Sequence, residues 1–180
     1  MTKAERIIDF LETDTISVSF GSKGLKYLSL KDNLGSQFID LRVIDKKRTI
    51  DLKEKLVIDE TMNFIETGKH NMPLDFTTFT KFQQSVFEVV ASIEPGKIVT
   101  YKDIAEILGK PGGAQAVGNA VGKNPVSFFL PTHRVLPQKG IGLCRSGAGH
   151  LREKFLSHEG HDLFRLTGGR YCTRKNCNGK

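Results

Sequence analysis

The spacing of apolar residues changes several times along the chain, and each change predicts an element. Ile7, Ile8 and Leu11 share one face of a short helix over residues 4–12. From Thr15 the period drops to two, with Ile16, Val18 and Phe20 set between polar positions. After Gly21-Ser22-Lys23-Gly24, a second apolar run follows with Leu25, Tyr27, Leu28 and Leu30, so this stretch predicts a hairpin whose glycines supply the turn. Phe38 to Val43 reads as another extended piece. Helical spacing returns between Asp51 and Thr67, where Val57, Ile58, Thr61, Phe64 and Ile65 align, and Gly68 is the expected stop. No chemical motif stands out in the first 70 residues, which read as a packing domain.

Residues 69–76 mix a polar hinge with a short strand and mark the expected domain boundary, giving 1–72 as an N-terminal domain and 73–167 as a second. Beyond the boundary, Thr80-x-x-Gln83 is a capping box for a helix that buries Phe82, Val86, Val89, Val90 and Ile93, and Pro95-Gly96 turns the chain. Thr100-x-x-Asp103 opens a shorter helix with Ile104, Ala105 and Leu108 inward. Gly112-Gly113 precedes a third helix, 114–122, with Ala116, Val117, Ala120 and Val121 as its packed face. Two short helices with a glycine-containing connection, the second rich in glycine and alanine, read as a helix-turn-helix or as a plain helical hairpin.

The next stretch, residues 124–137, concentrates chemistry. Phe128-Phe129-Leu130 reads as a buried strand bracketed by Pro125 and Pro131, and it delivers Thr132, His133 and Arg134 in succession at its end. A glycine-rich loop follows over 138–149, then a helix from Leu151 to His158 closed by Glu159-Gly160. From Gly168 the tail, 168–180, is polar and basic and is expected to be disordered or loosely docked.

Composition and charge narrow the classes. A chain of 180 residues, 38% hydrophobic and 26% charged, can bury a core, and no apolar run reaches the ~20 residues a membrane helix needs. The N-terminus shows no signal-peptide core, and Cys144, Cys172 and Cys177 make no disulfide framework, so the expected setting is intracellular, without a membrane partner. A net charge of +7 favours polyanionic partners, because cations near phosphates release counterions. With the helix pair, that makes DNA the better reading.

Together, Asn124-Pro125, Pro131-Thr132-His133-Arg134-Val135, the glycine-rich loop and His158-Glu159-Gly160-His161 resemble the DNA-binding domain of the O6-alkylguanine-DNA alkyltransferases. The resemblance covers residues 74–165. It implies an α+β (α/β) protein: a small strand-and-helix N-terminal domain, then a mainly helical, winged-helix-like domain with a helix-turn-helix. In that family an alkyl group passes from the 6-oxygen of guanine to a cysteine. The resemblance implies His133 as general base, Glu159 as its orienting carboxylate and Asn124 as the residue that holds the turn and adds a hydrogen bond near Glu159. Tyr101 would crowd the phosphate beside the target nucleotide. Ala114, Gln115, Gly118, Lys123 and Arg134 would contact DNA, the second helix lying in the minor groove, and the base would flip outward. Val135, Arg145 and Ser146 would line the base pocket. No cofactor and no metal are implied. The implied partners are duplex DNA carrying alkylated guanine and other repair proteins, with the chain a monomer, cytoplasmic and nucleoid-associated, or nuclear in a eukaryote.

Two departures from the family pattern bear on function. Thr132 stands where the family has its nucleophilic cysteine, and Gln115 where it has an intercalating arginine. A thiol ionises near pH 8.5, within reach of neighbours that lower it, whereas a secondary alcohol is far less acidic and hindered. The chain therefore reads as similar to the alkyltransferase-like proteins, which bind alkylated DNA without repairing it. Rival readings are a methyltransferase that is active or inactivated by substitution, and a DNA-binding protein without lesion preference. Lesser alternatives are a relocated thiol at Cys144, a Thr132-His133-Glu159 hydrolase, and zinc on His158, His161, Cys172 and Cys177, whose spacing is H-x2-H-x10-C-x4-C.

Overall fold

The computed structural model describes residues 1–30, 37–44, 51–137, 149–166 and 170–173. The chain divides into two compact units, Met1–Thr80 with Asn124–Leu130, and Lys81–Lys123 with Pro131–Lys180. The first unit thus borrows a segment from the middle of the second.

In the first unit, helix α1, Lys3–Leu11, starts at a capping box. Thr2 Oγ1 accepts from the Glu5 N–H at 3.2 Å, and the Glu5 carboxylate accepts from the Thr2 N–H at 2.9 Å. The helix buries Ala4, Ile7 and Leu11, while Ile8 stays half-buried. Strands β1, Thr15–Phe20, β2, Leu25–Ser29, and β3, Gln37–Asp40, make an antiparallel sheet in the order β2-β1-β3, with Val18 opposite Leu28 and Ile16 opposite Ile39. The extended piece expected through Val43 stops at Asp40, and Leu41–Ile44 is a helical turn, α2. The Asp40 carboxylate accepts from the Arg42 N–H at 3.0 Å and from its guanidinium at 2.9 and 2.8 Å, a local pairing that competes with the ladder. Helix α3, Leu52–Thr67, is opened by an Asp51/Glu54 box and ended by Gly68, whose N–H donates to the Phe64 carbonyl at 2.8 Å. Val57, Ile58, Thr61, Met62, Phe64 and Ile65 form its buried face.

Asn124–Leu130 completes this core. The expected strand at Phe128–Leu130 is instead a 3-10 turn, Ser127–Phe129. Its cause is local: Asn124 Nδ2 donates to the Ser127 carbonyl at 2.6 Å while Oδ1 accepts from the Val126 N–H at 3.0 Å. That closure bends the backbone until Ser127 sits at φ +45°. Phe128 and Phe129 then pack on Phe64, with centroids 5.8 and 6.2 Å away. His70 lies on Phe129 at 4.8 Å, and its Nδ1 accepts from the Met72 N–H at 3.1 Å. Nε2 must then carry the hydrogen, which it donates to the Phe129 carbonyl at 2.7 Å.

The second unit is mainly helical. Helix α4, Lys81–Ala91, buries Val86, Phe87 and Val90, with Phe82 and Val89 only half-buried. Strand β4, Val99–Thr100, runs parallel to β5, Val135–Leu136. Helix α5, Tyr101–Ile107, begins at the Thr100/Asp103 box that the spacing predicts: Thr100 Oγ1 accepts from the Asp103 N–H at 3.1 Å, and Asp103 Oδ2 accepts from the Thr100 N–H at 2.7 Å. Helix α6, Ala114–Val121, buries Val117, Ala120 and Val121, but Ala116, expected inward, faces solvent. Helix α7 is Gly149–His158. The tail is not loose throughout: Leu163–Leu166, β6, pairs antiparallel with Arg170–Thr173, β7, and Leu163 packs against Leu136 and Leu156. Among the described residues no helix is long and apolar enough to cross a membrane.

Because Asn124 supplies both side-chain hydrogen bonds that hold the Ser127 turn, Asn124→Ala should destabilise the protein by about 1–2 kcal/mol. Asn124→Asp, which keeps the acceptor and loses the donor, should fall between. Urea unfolding of the full chain would show this as a lower midpoint at an unchanged slope.

Candidate functional site

The polar cluster of the second unit converges on one carboxylate. Glu159 sits at the C-cap of α7, where the His161 N–H donates to the Leu156 carbonyl at 2.9 Å and the Gly160 N–H to the Ser157 carbonyl at 3.0 Å. This is a Schellman closure, and it places Gly160 at φ +83°, where a side chain would be strained. The histidine-glutamate-glycine-histidine run is thereby explained as a helix ending. His158 is exposed and His161 half-buried, while the Cys172 side chain and Cys177 lie outside what is described.

Four donors meet at Glu159. His133 Nε2 lies 3.0 Å from Oε1. Arg134 approaches with its fork, Nη2 to Oε1 at 2.6 Å and Nε to both oxygens at 3.0 and 3.2 Å. The Gly96 N–H donates to Oε2 at 3.1 Å. That donor is presented by a turn in which the Lys97 N–H reaches the Glu94 carbonyl at 3.1 Å, with Pro95 and then Gly96 at φ +73° in the central positions. The side chains of His133, Arg134 and Glu159 are 5%, 3% and 5% exposed. The His133 ring stacks on Phe155 at 5.0 Å and 23°.

Burial works against a charged Glu159, but the hydrogen bonds from His133 and Arg134, then that from the Gly96 N–H, outweigh it and hold the carboxyl at about 2. Burial pushes the His133 pKa below its usual 6.5, overriding the opposing pull of Glu159, and the charges of Arg134 and Arg152 push the same way. A neutral imidazole beside an ionised carboxylate must donate, so Nε2 carries the hydrogen and Nδ1 is the basic nitrogen.

Thr132 opens the 3-10 turn Thr132–Arg134 and is half-buried beside this cluster in sequence. His133 and Glu159, named as a pair from the sequence, are brought together. Asn124 holds its own turn, in the first unit. Arg134 departs from the DNA-contacting role expected of it: it is 2% exposed, and Nη1 donates to the Ile93 carbonyl at 2.6 Å, so no phosphate reaches it in this arrangement. Val135 likewise offers no side-chain surface to a base, being fully buried in β5. Arg145, Ser146 and Cys144 lie outside the described residues.

Tyr101 is the half-buried first residue of α5, and its ring covers Gly118 of α6, about 4 Å from where a Cβ would sit. Gly118 is therefore compatible with alanine there. Ala114 is half-buried, whereas Gln115, Ala116, Asn119, Gly122 and Lys123 are exposed and recur at helical spacing along one slim polar face. Asn119 and Ala116 join the predicted members only once the burial of Val117 and Val121 fixes the helix's rotation. Gly96 and Phe155 also escape sequence reading; the Pro-Gly pair signals a turn but not where its N–H points.

Charge follows the same division. The second unit holds fifteen Lys and Arg against seven Asp and Glu, net +8, leaving the first unit with twelve against thirteen, net −1. The basicity of the chain thus belongs to the unit that carries the slim helix face.

A helical unit of this layout, with a Glu–His pair beside a Pro-x-His-Arg turn, defines the alkyltransferase class. Residues 81–161 match the family model described as 6-O-methylguanine DNA methyltransferase, DNA binding domain. The chain is 40% identical over 84 residues to the methylated-DNA–protein-cysteine methyltransferase of Shigella flexneri, spanning 47% of this chain and about half, 49%, of that relative. It is 34% identical over 118 residues to the enzyme of the same name from Metallosphaera sedula, covering 66% of this chain and 72% of the relative. Among solved structures, Mycobacterium tuberculosis OGT in complex with DNA aligns with a TM-score of 0.56 at 25% identity, over 79% of this chain and 87% of that one. The chain belongs to the O6-methylguanine-DNA methyltransferase family.

His133 and Glu159 both bind protons more readily when unfolded, so acid should favour unfolding. The His133 contribution falls away as pH drops below about 6.5, and the Glu159 contribution, on the order of 3 kcal/mol, as pH drops from 4.5 toward about 2. Thermal melts across this range should show Glu159→Gln less stable at neutral pH but with a flatter acid limb than the parent.

Proposed function

We propose that this protein recognises alkylated guanine in duplex DNA, with the base turned out of the helix, and does not accept the alkyl group. The observation that carries the reading is Thr132 beside an intact Glu159–His133 pair. A buried neutral imidazole can take a proton from a thiol, which ionises near pH 8.5, but gains little against an alcohol many units less acidic. The scaffold for handling an extruded base is kept while the acceptor atom is changed from sulfur to oxygen.

Binding to DNA is supported by three features of the second unit. Helices α5 and α6, linked through 108–113, suit a helix-turn-helix, with α6 as the reading helix. Its exposed face of Gln115, Ala116, Asn119, Gly122 and Lys123 is narrow enough for the minor groove and ends in a cation. The net +8 supplies counterion release, and a solved relative is a complex with DNA. Gln115 keeps a hydrogen-bonding group at the position where the family places a cation, so the base-flipping step here relies less on charge. Tyr101, at the mouth of α5, is placed to crowd a phosphate.

A second reading, that the chain is itself a methyltransferase, is favoured by the names of its relatives. One experiment separates the two. Duplexes with and without a single O6-methylguanine are titrated, and the protein's intact mass is recorded after incubation. The expected result is affinity about tenfold or more higher for the methylated duplex, roughly 1.4 kcal/mol, and no change in mass. A methyl gained on Thr132 or Cys144 overturns the non-transferring reading, and equal affinity overturns lesion recognition. Thr132→Cys should gain a methyl group. Lys123→Ala should weaken both duplexes alike and lower the salt slope by about 0.9.

A further inference from the structure

Arg134 is a permanent cation sealed inside the protein, two of its nitrogens on Glu159 and a third on the Ile93 carbonyl. Burying a guanidinium is costly, and a network confined to His133, Glu159 and Gly96 would satisfy the carboxylate with fewer buried charges. Its presence changes the charge count of the cluster. Glu159 contributes −1 and Arg134 +1, so the cluster is neutral only while His133 is uncharged. An imidazolium there would leave a net positive charge in a site almost closed to water, with Arg152 adding repulsion from α7 and Phe155 covering a ring face.

The geometry acts in the same direction. Arg134 engages both carboxylate oxygens, Nη2 on Oε1 at 2.6 Å and Nε on Oε1 and Oε2 at 3.0 and 3.2 Å, and the Gly96 N–H donates to Oε2 at 3.1 Å. His133 Nε2 shares Oε1 with the guanidinium, at 3.0 Å. A carboxylate pinned on two sides cannot rotate to follow the imidazole, so the imidazole must orient to it.

We propose that Arg134 is a positioning residue: by fixing how Glu159 is shared, it holds His133 as the neutral Nε2–H tautomer and leaves Nδ1 as the nitrogen that can accept a proton. Arg134 never touches the base or the DNA in this role. The inference rests on the reading of His133 and Glu159 as a retained relay, and it stands independently of whether the chain binds lesions or transfers an alkyl group.

The test is made on the full chain without DNA, so that it can fail separately from the proposed function. Histidine-selective nitrogen NMR reports tautomer and charge for each imidazole, with His133 assigned from His133→Gln. The parent should show His133 neutral, hydrogen on Nε2, from pH 8 down to pH 6. Arg134→Gln removes the cation and leaves Glu159 to His133, so the His133 titration midpoint should rise by about one unit or more, a tenfold shift in its proton equilibrium. Arg134→Lys retains the charge and should keep His133 neutral over the same range. The proposal is overturned if His133 of the parent is a cation or an Nδ1–H tautomer at pH 7, if Arg134→Gln folds and titrates like the parent, or if Arg134→Lys turns His133 cationic. Should Arg134→Gln fail to fold, the parent and the lysine variant still decide the matter.

Discussion

A single buried carboxylate organises the helical unit. Glu159 receives a backbone N–H from the 94–97 turn, a guanidinium fork and an imidazole, and so joins three pieces of chain that are remote in sequence. Its position is set by a helix ending: the glycine after it turns the backbone so that the helix's last carbonyls are capped locally and the side chain is left to face inward. The same group that would tune a nucleophile's partner is thus also a structural junction. This gives a physical reason for the cluster to persist whatever residue stands at position 132, since removing one partner of a buried ion pair strands the other in a medium that cannot solvate it.

Much of the fold was legible because local chemistry and periodicity agreed. The Thr100/Asp103 box, the glycine stop at 68 and the alternation through β1 and β2 each have a mechanism that works within a few residues. Errors arose where an outcome depends on which neighbour a side chain meets, whether that neighbour is a few residues away or many. Phe128-Phe129-Leu130 looks like a strand by composition, yet Asn124 closes a turn over it. Ala116 looks like a packing residue by size, yet the rotation of α6 is decided by Val117 and Val121. Arg134 looks like a phosphate ligand by charge, yet it is drawn inside by a carboxylate 25 residues away. Sequence conveys what a side chain is able to do more readily than which neighbour it will meet.

The contrast between Thr132 and its surroundings is a contrast between acidity and geometry. The His133 ring is buried beside Glu159, with its pKa pushed down by burial, but basicity alone cannot ionise an alcohol across so wide a gap. The near-neutral first unit and the basic second unit divide labour in another currency, because long-range attraction to a polyanion comes from the part of the chain that also carries the slim helix.

The excursion of Asn124–Leu130 bears on how such a protein can be shortened. Cutting at the hinge near residue 73 would look harmless in a linear map, but Phe128 and Phe129 pack on Phe64 and Phe129 also on His70, and His70 and Leu28 donate hydrogen bonds to the Phe129 and Pro125 carbonyls. A chain lacking the first unit would present two phenylalanines and a leucine to water immediately before Pro131 and Thr132. A version of this chain without the first unit would therefore need smaller or more polar residues at these positions, or another way to bury them.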